Sequence, residues 1–373
     1  MKTTIVFDTH ISGHNLEYIH HLYSQAVNDA ERKFVFAIPE EFKQVKDKLE
    51  WNESANVGYH FLSKEKLIPL YNNSWCTAFH NSLVLREIVK LYNADTVILI
   101  VFAQILPFVF IFPRKVNIVG ILYYIYLYKW EKINFYSKLK EIINYLSIKY
   151  TNCVKKAFVL NDEVSCKYLN SLYRTNKFQY LIDPAPNELH STGVLSRESL
   201  NIGETDIIYL HFGSMSKRKG TIDVIKCIEY LNSKNYYVFA GKVGKDIEHE
   251  FYERINQLKK KHNIVVIDEF CSYEKIASLC KISNFLFMPY REVYQSSGLI
   301  SYASMYNIPV IATNKGMLGK LIKRYKLGFT VDFSDIENAC KTITQYEKIK
   351  LQISKEYVCS HTIKKFREMI LSK

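Results

Sequence analysis

The chain has 373 residues, enough for about two domains with sizeable cores. Hydrophobic residues make up 48% and charged residues 23%, which excludes a mainly disordered, collagen-like or coiled-coil protein. A net charge of +13 favours anionic partners such as nucleic acid, acidic lipid or phosphorylated substrates. The cysteines include no C-x-x-C pair and the N-terminus lacks the apolar run of a signal peptide, so we expect a reduced, cytoplasmic protein.

In chain order, the first half alternates apolar strands with amphipathic helices. The pattern predicts strands over 3–8, 33–38, 96–101, 115–124 and 157–160, and helices over 16–30, 82–92, 132–150 and 163–173. Such alternation is typical of a doubly wound parallel sheet. The apolar run 97–112 is shorter than the roughly 20 residues that a membrane span needs. We therefore interpret it, with the run 116–128, as buried strands.

The stretch 129–156 combines seven Lys and two Glu with apolar residues at roughly helical spacing. One interpretation, which we favour, is an ordinary amphipathic helix packed on its own sheet. The other is a basic helix lying on an anionic membrane surface, which the neighbouring aromatic residues would also suit.

The periodic pattern breaks over 183–206 and then restarts, which predicts a domain boundary. In the second half we expect strands over 207–212, 236–241, 264–268, 285–290 and 309–314. The helices between them are expected over 221–231, 248–261, 273–279 and 298–306, followed by a charged helical segment over 336–373. The predicted domains are residues 1–185, residues 186–350, and a C-terminal helix over 351–373 that packs back toward the first domain. In such sheets ligands bind at the carboxyl ends of the strands, so we expect a cleft between two β/α domains.

Two loops of the second half have residues suited to phosphate. The loop GSMSKRKG, 213–220, joins a strand to a helix and places Arg218 and Lys219 at the helix N-terminus, where free N–H groups attract anions. Ser296, Ser297 and Gly298 stand at the next such junction. The alternatives are a solvated basic turn for the first loop and simple N-capping for the second. Together the two loops make a nucleotide-diphosphate site plausible.

The N-terminal segment DTHISGHN places Asp8, His10, Gly13 and His14 at a strand end and the loop that follows. These residue types suit acid–base chemistry or the binding of a hydroxyl group. A metal site lacks support, because neither H-E-x-x-H nor a Cys partner is present in the sequence. The P-loop, G-x-G-x-x-G and D-x-D motifs and the common nucleic-acid signatures are absent too, so we expect no nucleic-acid partner.

Residues 207–332 resemble the donor-binding domain of GT-B glycosyltransferases, of the group 1 (family 4-like) type found in bacterial surface-polysaccharide biosynthesis. The family motif G-R-L-x-x-x-K-G is matched from Gly213 to Gly220, with Lys219 in place and Ser214 at the Arg position. The unit PVIAT, 309–313, is a second match. The family's E-x7-E pair is missing, since Tyr294 and Tyr302 occupy those positions.

The resemblance implies an α/β protein of the GT-B fold, in which two Rossmann-like domains face a central cleft. It implies a nucleotide-sugar donor, a glycan or polyprenyl-diphosphate-linked acceptor near the inner membrane leaflet, and no metal or other cofactor. The implied catalytic residues are Asp8, His14, Arg218 and Lys219. The implied donor residues are Gly213, Ser214, Arg218, Lys219, Ser296, Ser297 and Gly298, with Phe270 and Tyr273 at the base; the implied acceptor residues are His10, Gly13 and His14.

Two alternatives stay open on the same fold. The missing Glu pair is compatible with a degenerate protein that binds a nucleotide sugar without turning it over, and a nucleotide-sugar epimerase would need no acceptor. The residues do not choose between inversion and retention at the sugar. They also leave the sugar, nucleotide, acceptor, linkage and oligomeric state open.

Overall fold

The chain folds into two compact units. The computed structural model describes residues 1–10, 14–48, 51, 54–63, 75–123, 125–186, 193–292, 294 and 297–372. One unit comprises Met1–Asp183 and Ile363–Lys373, and the other comprises Pro184–Thr362. The predicted division at 185/186 falls about two residues from the first crossing between the units. The chain returns to the first unit at Ile363 rather than at residue 351.

The first unit contains a seven-stranded parallel sheet in the order β3-β2-β1-β4-β5-β6-β7. The strands are β1 (Lys2–Phe7), β2 (Arg32–Pro39), β3 (Val57–Leu62), β4 (Thr96–Leu99), β5 (Asn117–Leu122), β6 (Val154–Leu160) and β7 (Phe178–Leu181). The helices are α1 (His14–Ala26), α2 (Phe42–Lys48), α3 (Trp75–Leu91), α4 (Phe135–Tyr150) and α5 (Glu163–Tyr173). The strand order reverses between β1 and β4, which is the position where open α/β sheets bind ligands.

The second unit contains a six-stranded parallel sheet in the order β10-β9-β8-β11-β12-β13, which reverses between β8 and β11. The strands are β8 (Ile208–Phe212), β9 (Tyr236–Ala240), β10 (Asn263–Ile267), β11 (Phe285–Met288), β12 (Val310–Thr313) and β13 (Gly328–Val331). The helices are α6 (Thr221–Ile228), α7 (Glu248–Leu258), α8 (Tyr273–Ile282), α9 (Leu299–Tyr306), α10 (Gly316–Arg324), α11 (Ile336–Tyr346) and α12 (Glu356–Ser360). The last helix, α13 (Ile363–Leu371), belongs to the first unit, where Phe366 and Ile370 are buried in the core.

The apolar run 97–112 is a strand only as far as Leu99, so the prediction of a buried strand over the whole run was wrong. Short 3-10 helices follow at Phe102–Gln104 and Phe108–Ile111. Phe102 and Val109 of these helices are buried in the core, whereas Phe110 is exposed, and a Cβ at Gly120 would lie 2.5 Å from Cγ of Phe102. Burial therefore explains the composition of the run, but the turns fill one end of the core instead of extending the sheet.

Three strands that the sequence pattern did not predict, β3, β7 and β13, all lie at sheet edges. Their residues are partly buried rather than fully apolar on both faces, so the long buried runs of the central strands are absent. None of the helices in the described part of the chain combines the length and apolar character that a membrane crossing requires.

Candidate functional site

Two glycines, Gly213 and Gly241, directly follow β8 and β9 and form a surface without side chains there, and a third, Gly220, precedes helix α6. Gly213, Gly220 and Gly241 have φ values of +97°, +71° and +133°, which L side chains rarely adopt. A Cβ at Gly241 would lie 2.1 Å from the Gly213 carbonyl oxygen, and a Cβ at Gly220 would lie 1.9 Å from that of Pro289. This close approach of backbone segments requires glycine and leaves the strand ends open to a ligand.

The predicted basic loop 213–220 lies at the reversal point of this sheet. The Lys219 ammonium nitrogen lies 2.7 Å from where a Cβ of Gly213 would be, and 5.6 Å from the ring centroid of Tyr290. Lys219 is buried although it is charged, which is uncommon for a lysine. Arg218 is half-buried, and its carbonyl oxygen accepts a hydrogen bond of 3.1 Å from the backbone N–H of Arg291. The Lys219 ammonium therefore lies beside Gly213 at the carboxyl end of β8, and the Arg218 backbone is fixed to the segment that follows β11.

An ion pair fixes the segment that follows β11 to helix α6. The Arg291 guanidinium donates two hydrogen bonds of 2.6 Å to the buried Asp223 carboxylate, one to each oxygen. This bidentate pairing with Asp223 raises the pKa of Arg291. Because the Arg291 N–H also binds the Arg218 carbonyl, the pair joins the two strand ends that flank the reversal point.

The second predicted phosphate loop lies next to the first. The Ser297 side chain is buried, and its Oγ lies 3.2 Å from the Tyr290 hydroxyl oxygen. Gly298 directly precedes α9, whose first residue, Leu299, has Cδ1 3.4 Å from the Cβ position of Gly213. Ser297 and Gly298 thus lie beside Gly213 and the Lys219 ammonium, as the donor-site prediction requires. The predicted Ser296 lies outside the described residues.

A cavity of about 400 Å³ opens beside the glycine surface. Its lining includes Gly213, Ser214 and Gly241 together with the predicted base residues Phe270 and Tyr273. Phe270 is 93% exposed and Tyr273 is 54% exposed, so both rings are available for stacking. The volume lies in the range of small-molecule sites, and the loop residues and the aromatic rings share one cavity.

In the first unit, Asp8 follows β1 and is fully buried. Its Oδ1 accepts a hydrogen bond of 2.7 Å from Nε2 of Gln104 and one of 3.0 Å from the backbone N–H of His10. Burial raises the pKa of Asp8 to about 7, although these hydrogen bonds act in the opposite direction. Among the described residues, Oδ2 of Asp8 and Oε1 of Gln104 have no hydrogen-bond partner.

The other predicted residues of this segment are only partly described. His10 is half-buried, its Nδ1 lies 3.0 Å from Thr9 Oγ1, and burial lowers its pKa. His14 begins α1, but its side chain and Gly13 lie outside the described residues. In the described ranges, His, Cys, Asp and Glu side chains form no group of three that could hold a metal ion, and the metal-independent mechanism stays a prediction.

The structure adds site residues that sequence reasoning missed. Gln104 contacts Asp8, and Tyr290 contacts both Lys219 and Ser297. Gln104 could have been identified from the sequence, because it is a polar residue within the apolar run 97–112. Tyr290 carries no comparable signal in a sequence that is rich in tyrosine. Tyr302, at one position of the missing Glu pair, is buried in α9 with its ring centroid 5.6 Å from that of Phe212.

Comparison with known proteins agrees with this geometry. The family model of glycosyl transferases group 1 matches residues 195–361, which span the glycine surface and both predicted phosphate loops. A search of curated protein sequences found no match to the chain.

Several solved structures resemble the whole chain. HepE from Anabaena in complex with UDP has a TM-score of 0.70 at 12% identity, covering 99% of this chain and 98% of its own. HepE has also been solved with UDP-glucose. A glycosyltransferase from Rickettsia africae has a TM-score of 0.70 at 16% identity, covering 100% of this chain and 99% of its own. Sucrose-phosphate synthase from Thermosynechococcus elongatus has a TM-score of 0.66 at 13% identity, covering 99% and 94%.

At these identities the structural likeness shows the fold. The expected α/β architecture with two Rossmann-like units of the GT-B type is confirmed. The match to the family model over residues 195–361 supports the expectation of a group 1 glycosyltransferase.

Proposed function

We propose that this chain, a group 1 glycosyltransferase of the GT-B fold, transfers a sugar from a nucleotide-diphosphate sugar to a glycan or lipid-linked glycan. The pathway we propose is the assembly of a bacterial surface polysaccharide. One observation carries the donor half of the proposal. The buried Lys219 ammonium lies against Gly213, at the edge of a cavity that exposes two aromatic rings. A cation, a side-chain-free backbone and stacking surfaces are the complements of a diphosphate and a base.

The proposed chemistry follows from these groups. During transfer, the bond between the anomeric carbon and the diphosphate oxygen breaks and the diphosphate takes the electron pair. Arg218, Lys219 and the backbone amides near Ser297 and Gly298 would stabilise the negative charge that develops on the leaving group. The acceptor hydroxyl oxygen forms the new bond to the anomeric carbon and loses its proton. We propose that these residues do this without a metal ion.

We assign the acceptor to the first unit, through His10, Gly13 and His14. If the reaction inverts the anomeric carbon, the proposed base is Asp8, His10 or His14. If it retains, His14 is proposed to hold a sugar hydroxyl. Support for Asp8 comes from its pKa of about 7, which suits proton exchange near neutral pH. Its complete burial means that the neighbouring segment would have to admit the acceptor.

The acceptor we propose is carried on a lipid at an anionic membrane surface. Support comes from the N-terminal part of α4 and the segment before it, which expose Trp130, Phe135, Tyr136 and Leu139. Phe135 is 81% exposed, and lysines at 129, 132, 138 and 140 surround these apolar groups. Aromatic rings among lysines suit the headgroup region of an acidic bilayer, and this aromatic-basic surface lies on the first unit.

The donor proposal is tested by measuring thermal unfolding with UDP-, GDP-, ADP- and CMP-sugars, each with and without EDTA. A nucleotide at 100 times its Kd adds about 2.7 kcal/mol of stability. We expect a shift with one nucleotide family that EDTA leaves unchanged and that is lost when Arg218 and Lys219 are both replaced by Ala. Lys245→Ala, which removes an exposed lysine of the same unit, is the matched control. No shift with any donor, in a folded sample, would contradict the proposal.

Turnover separates the transferase from the degenerate binding protein. With the donor that binds, release of the nucleoside diphosphate is measured with and without short glycan acceptors. Acceptor-dependent release supports transfer. Binding without release under any condition would favour the degenerate protein, which the tyrosines at the Glu positions also permit.

The membrane proposal is tested by sedimentation with vesicles. Vesicles of phosphatidylcholine with 30% phosphatidylglycerol serve as the anionic sample, and pure phosphatidylcholine is the control. We expect binding to the anionic vesicles only, about tenfold weaker for the double variant F135S/Y136S. A Phe270→Ser variant, which removes an exposed ring from the other unit, should bind normally. Equal binding by all three proteins would contradict a role for the aromatic-basic surface.

A further inference from the structure

A buried chain of hydrogen bonds runs beneath the basic loop 213–220. His211 lies on β8 and is 2% exposed, and Thr221, the first residue of α6, is fully buried. The imidazole Nδ1 lies 2.9 Å from the carbonyl oxygen of Phe287, and Nε2 lies 3.0 Å from Thr221 Oγ1. The backbone N–H of Ser216 donates to the same Oγ1 at 3.0 Å. The chain therefore links β11, β8, α6 and the loop.

The partners determine where each proton lies. A carbonyl oxygen only accepts, so Nδ1 of His211 carries a proton and donates it to Phe287. In the neutral ring Nε2 is then an acceptor, and it receives the Thr221 hydroxyl proton. The same hydroxyl oxygen accepts from the Ser216 N–H. A neutral His211 imidazole with its proton on Nδ1 therefore gives each group in this series of hydrogen bonds a partner.

The surroundings keep the ring neutral. Burial lowers the pKa of His211 to about 4, the Lys219 ammonium acts in the same direction, and the Phe287 carbonyl opposes them. A protonated ring would place a second buried cation beside Lys219.

Thr221 binds both backbone polar groups of Ser216. Its Oγ1 accepts from the Ser216 N–H, and its own N–H donates to the Ser216 carbonyl oxygen at 3.3 Å. Between these two residues lie only residues 217–220, which include Lys217, Arg218 and Lys219. A further bond of 3.1 Å from the Gly220 N–H to the Lys217 carbonyl closes the turn. The Ser216–Thr221 contact therefore helps to set the conformation of Arg218 and Lys219, together with the bonds from the Arg291 N–H to the Arg218 carbonyl oxygen and from the Lys217 N–H to Asp246.

We propose that His211 and Thr221 are positioning residues that hold loop 213–220 ready for a diphosphate without contacting the nucleotide themselves. Preorganisation of this kind avoids the loss of loop freedom on binding, which would otherwise weaken affinity. The proposal rests on the proposed donor site for its functional half. The structural half of the proposal, which is that the His211–Thr221–Ser216 contacts order the loop, does not depend on the donor site.

The first test compares Thr221→Val with Thr221→Ser by hydrogen exchange in the absence of nucleotide. Val keeps the shape of Thr but removes the hydroxyl, whereas Ser keeps it. We expect the amides of residues 216–220 to exchange at least tenfold faster in T221V and within threefold of wild type in T221S. Ser304→Ala, which removes another buried hydroxyl of this unit, serves as the control and should leave the loop unchanged. Unchanged loop exchange in folded T221V would overturn the proposal.

The second test titrates UDP, GDP and ADP into the same proteins. For the nucleotide that binds wild type, we expect at least tenfold weaker affinity in T221V and near-normal affinity in T221S and S304A. Faster loop exchange with unchanged affinity would overturn the positioning role. If wild type binds none of the three nucleotides, the proposed function is contradicted. The exchange experiment alone then tests whether Thr221 orders the loop.

A spectroscopic signature tests the proton arrangement directly. In ¹⁵N spectra at pH 6, assigned by comparison with His211→Asn, we expect one ring with Nδ1 protonated and Nε2 unprotonated. A doubly protonated His211 ring, or the opposite tautomer, would overturn the hydrogen-bond chain.

Discussion

The two units place their candidate residues at equivalent points of the fold but use different groups there. In each sheet the strand order reverses beside the strand that enters first, and both Asp8 and the loop 213–220 follow that strand. In the first unit the point is filled by buried side-chain oxygens of Asp8 and Gln104. In the second it presents cations and backbone amides. The strand order determines where the candidate residues lie, and the residue types at that point determine whether it suits proton transfer or anion binding.

Backbone conformation separates the units in the same way. Among the described residues, every glycine with positive φ lies in the second unit, at 213, 220, 241, 316 and 328. Positive φ at residues other than glycine occurs in both units, at Asn93, Asn161 and Arg174 in the first and at Asn201, Asn307 and Lys326 in the second. The second unit thus has glycine where backbone segments approach closely, whereas side chains occupy the reversal point of the first unit.

The largest effect is expected from Gly220→Ala. The added Cβ would lie 1.9 Å from the Pro289 carbonyl oxygen, at a φ of +71°, so the backbone at the loop would have to move. We expect the free energy of unfolding to fall by about 5 kcal/mol or more. Hydrogen exchange of amides in residues 208–331 would report the loss.

Gly58→Ala is the matched control in the first unit, because a Cβ there meets nothing within 4 Å. It should change the free energy of unfolding by no more than about 1 kcal/mol. If both variants behaved alike, the contrast in backbone packing between the units would be wrong.

A second, pH-dependent effect is expected from Asp8→Asn. Because the pKa of Asp8 is about 7 in the folded chain and 3.8 when unperturbed, the folded state binds the proton more tightly. Proton binding by Asp8 therefore stabilises the folded state fully below the unfolded pKa of 3.8, and this stabilisation is lost as the pH rises toward 7. The wild type should therefore lose about 1.4 kcal/mol per pH unit between pH 4 and pH 7 relative to the variant.

Tryptophan fluorescence measures this effect selectively, since Trp51, Trp75 and Trp130 all lie in the first unit. Parallel pH profiles for wild type and D8N would show that Asp8 is ionised throughout this range. They would contradict the contrast between a protonated acid at the reversal point of the first unit and cations at that of the second. Turnover of D8N adds a second reading, because an ionised base at this position predicts a loss of activity that a purely structural acid does not.

The smallest effect is expected from Arg174→Gly. Arg174 ends α5 in the left-handed conformation at a φ of 48° and is exposed. Glycine adopts this conformation without strain, so the variant should be more stable by about 0.5–1 kcal/mol in the same fluorescence assay. A loss of stability would contradict this prediction and would mean that the Arg174 side chain has a packing role.

The elements that could be predicted from the sequence are those with strong local patterns. The central strands are apolar on both faces, and the helix α4 begins after Asn134, whose side chain accepts from the Ser137 N–H as an N-cap. The edge strands β3, β7 and β13 have one partner each and are only partly buried, so their composition resembles a loop. The run 97–112 shows the converse, because burial without strand geometry leaves the same apolar composition.

The site divides along the same line. Gly213, Arg218, Lys219, Ser297 and Gly298 could be predicted because strand-to-helix loops with glycine and cations have a chemical reason of their own. His211, Thr221 and Gln104 could not, because each acts through a partner distant in the chain. His211 reaches Phe287 across the sheet, and Gln104 reaches Asp8 over 96 positions. A pattern within one segment has no information about such contacts.

By itself, the sequence determined the alternation of strands and helices, the division near residue 185, and which loops hold cations and small residues. These properties depend on local spacing and on burial, which hydrophobicity reports directly. Only the tertiary structure decided that Gly213 and Ser214 line one cavity with Phe270 and Tyr273, and that Lys219 and Ser297 both contact Tyr290. It also decided that Asp8 is buried with a raised pKa. Distances between separate segments and the loss of solvent around a charge arise when the sheets assemble, because both depend on neighbours that are remote in sequence.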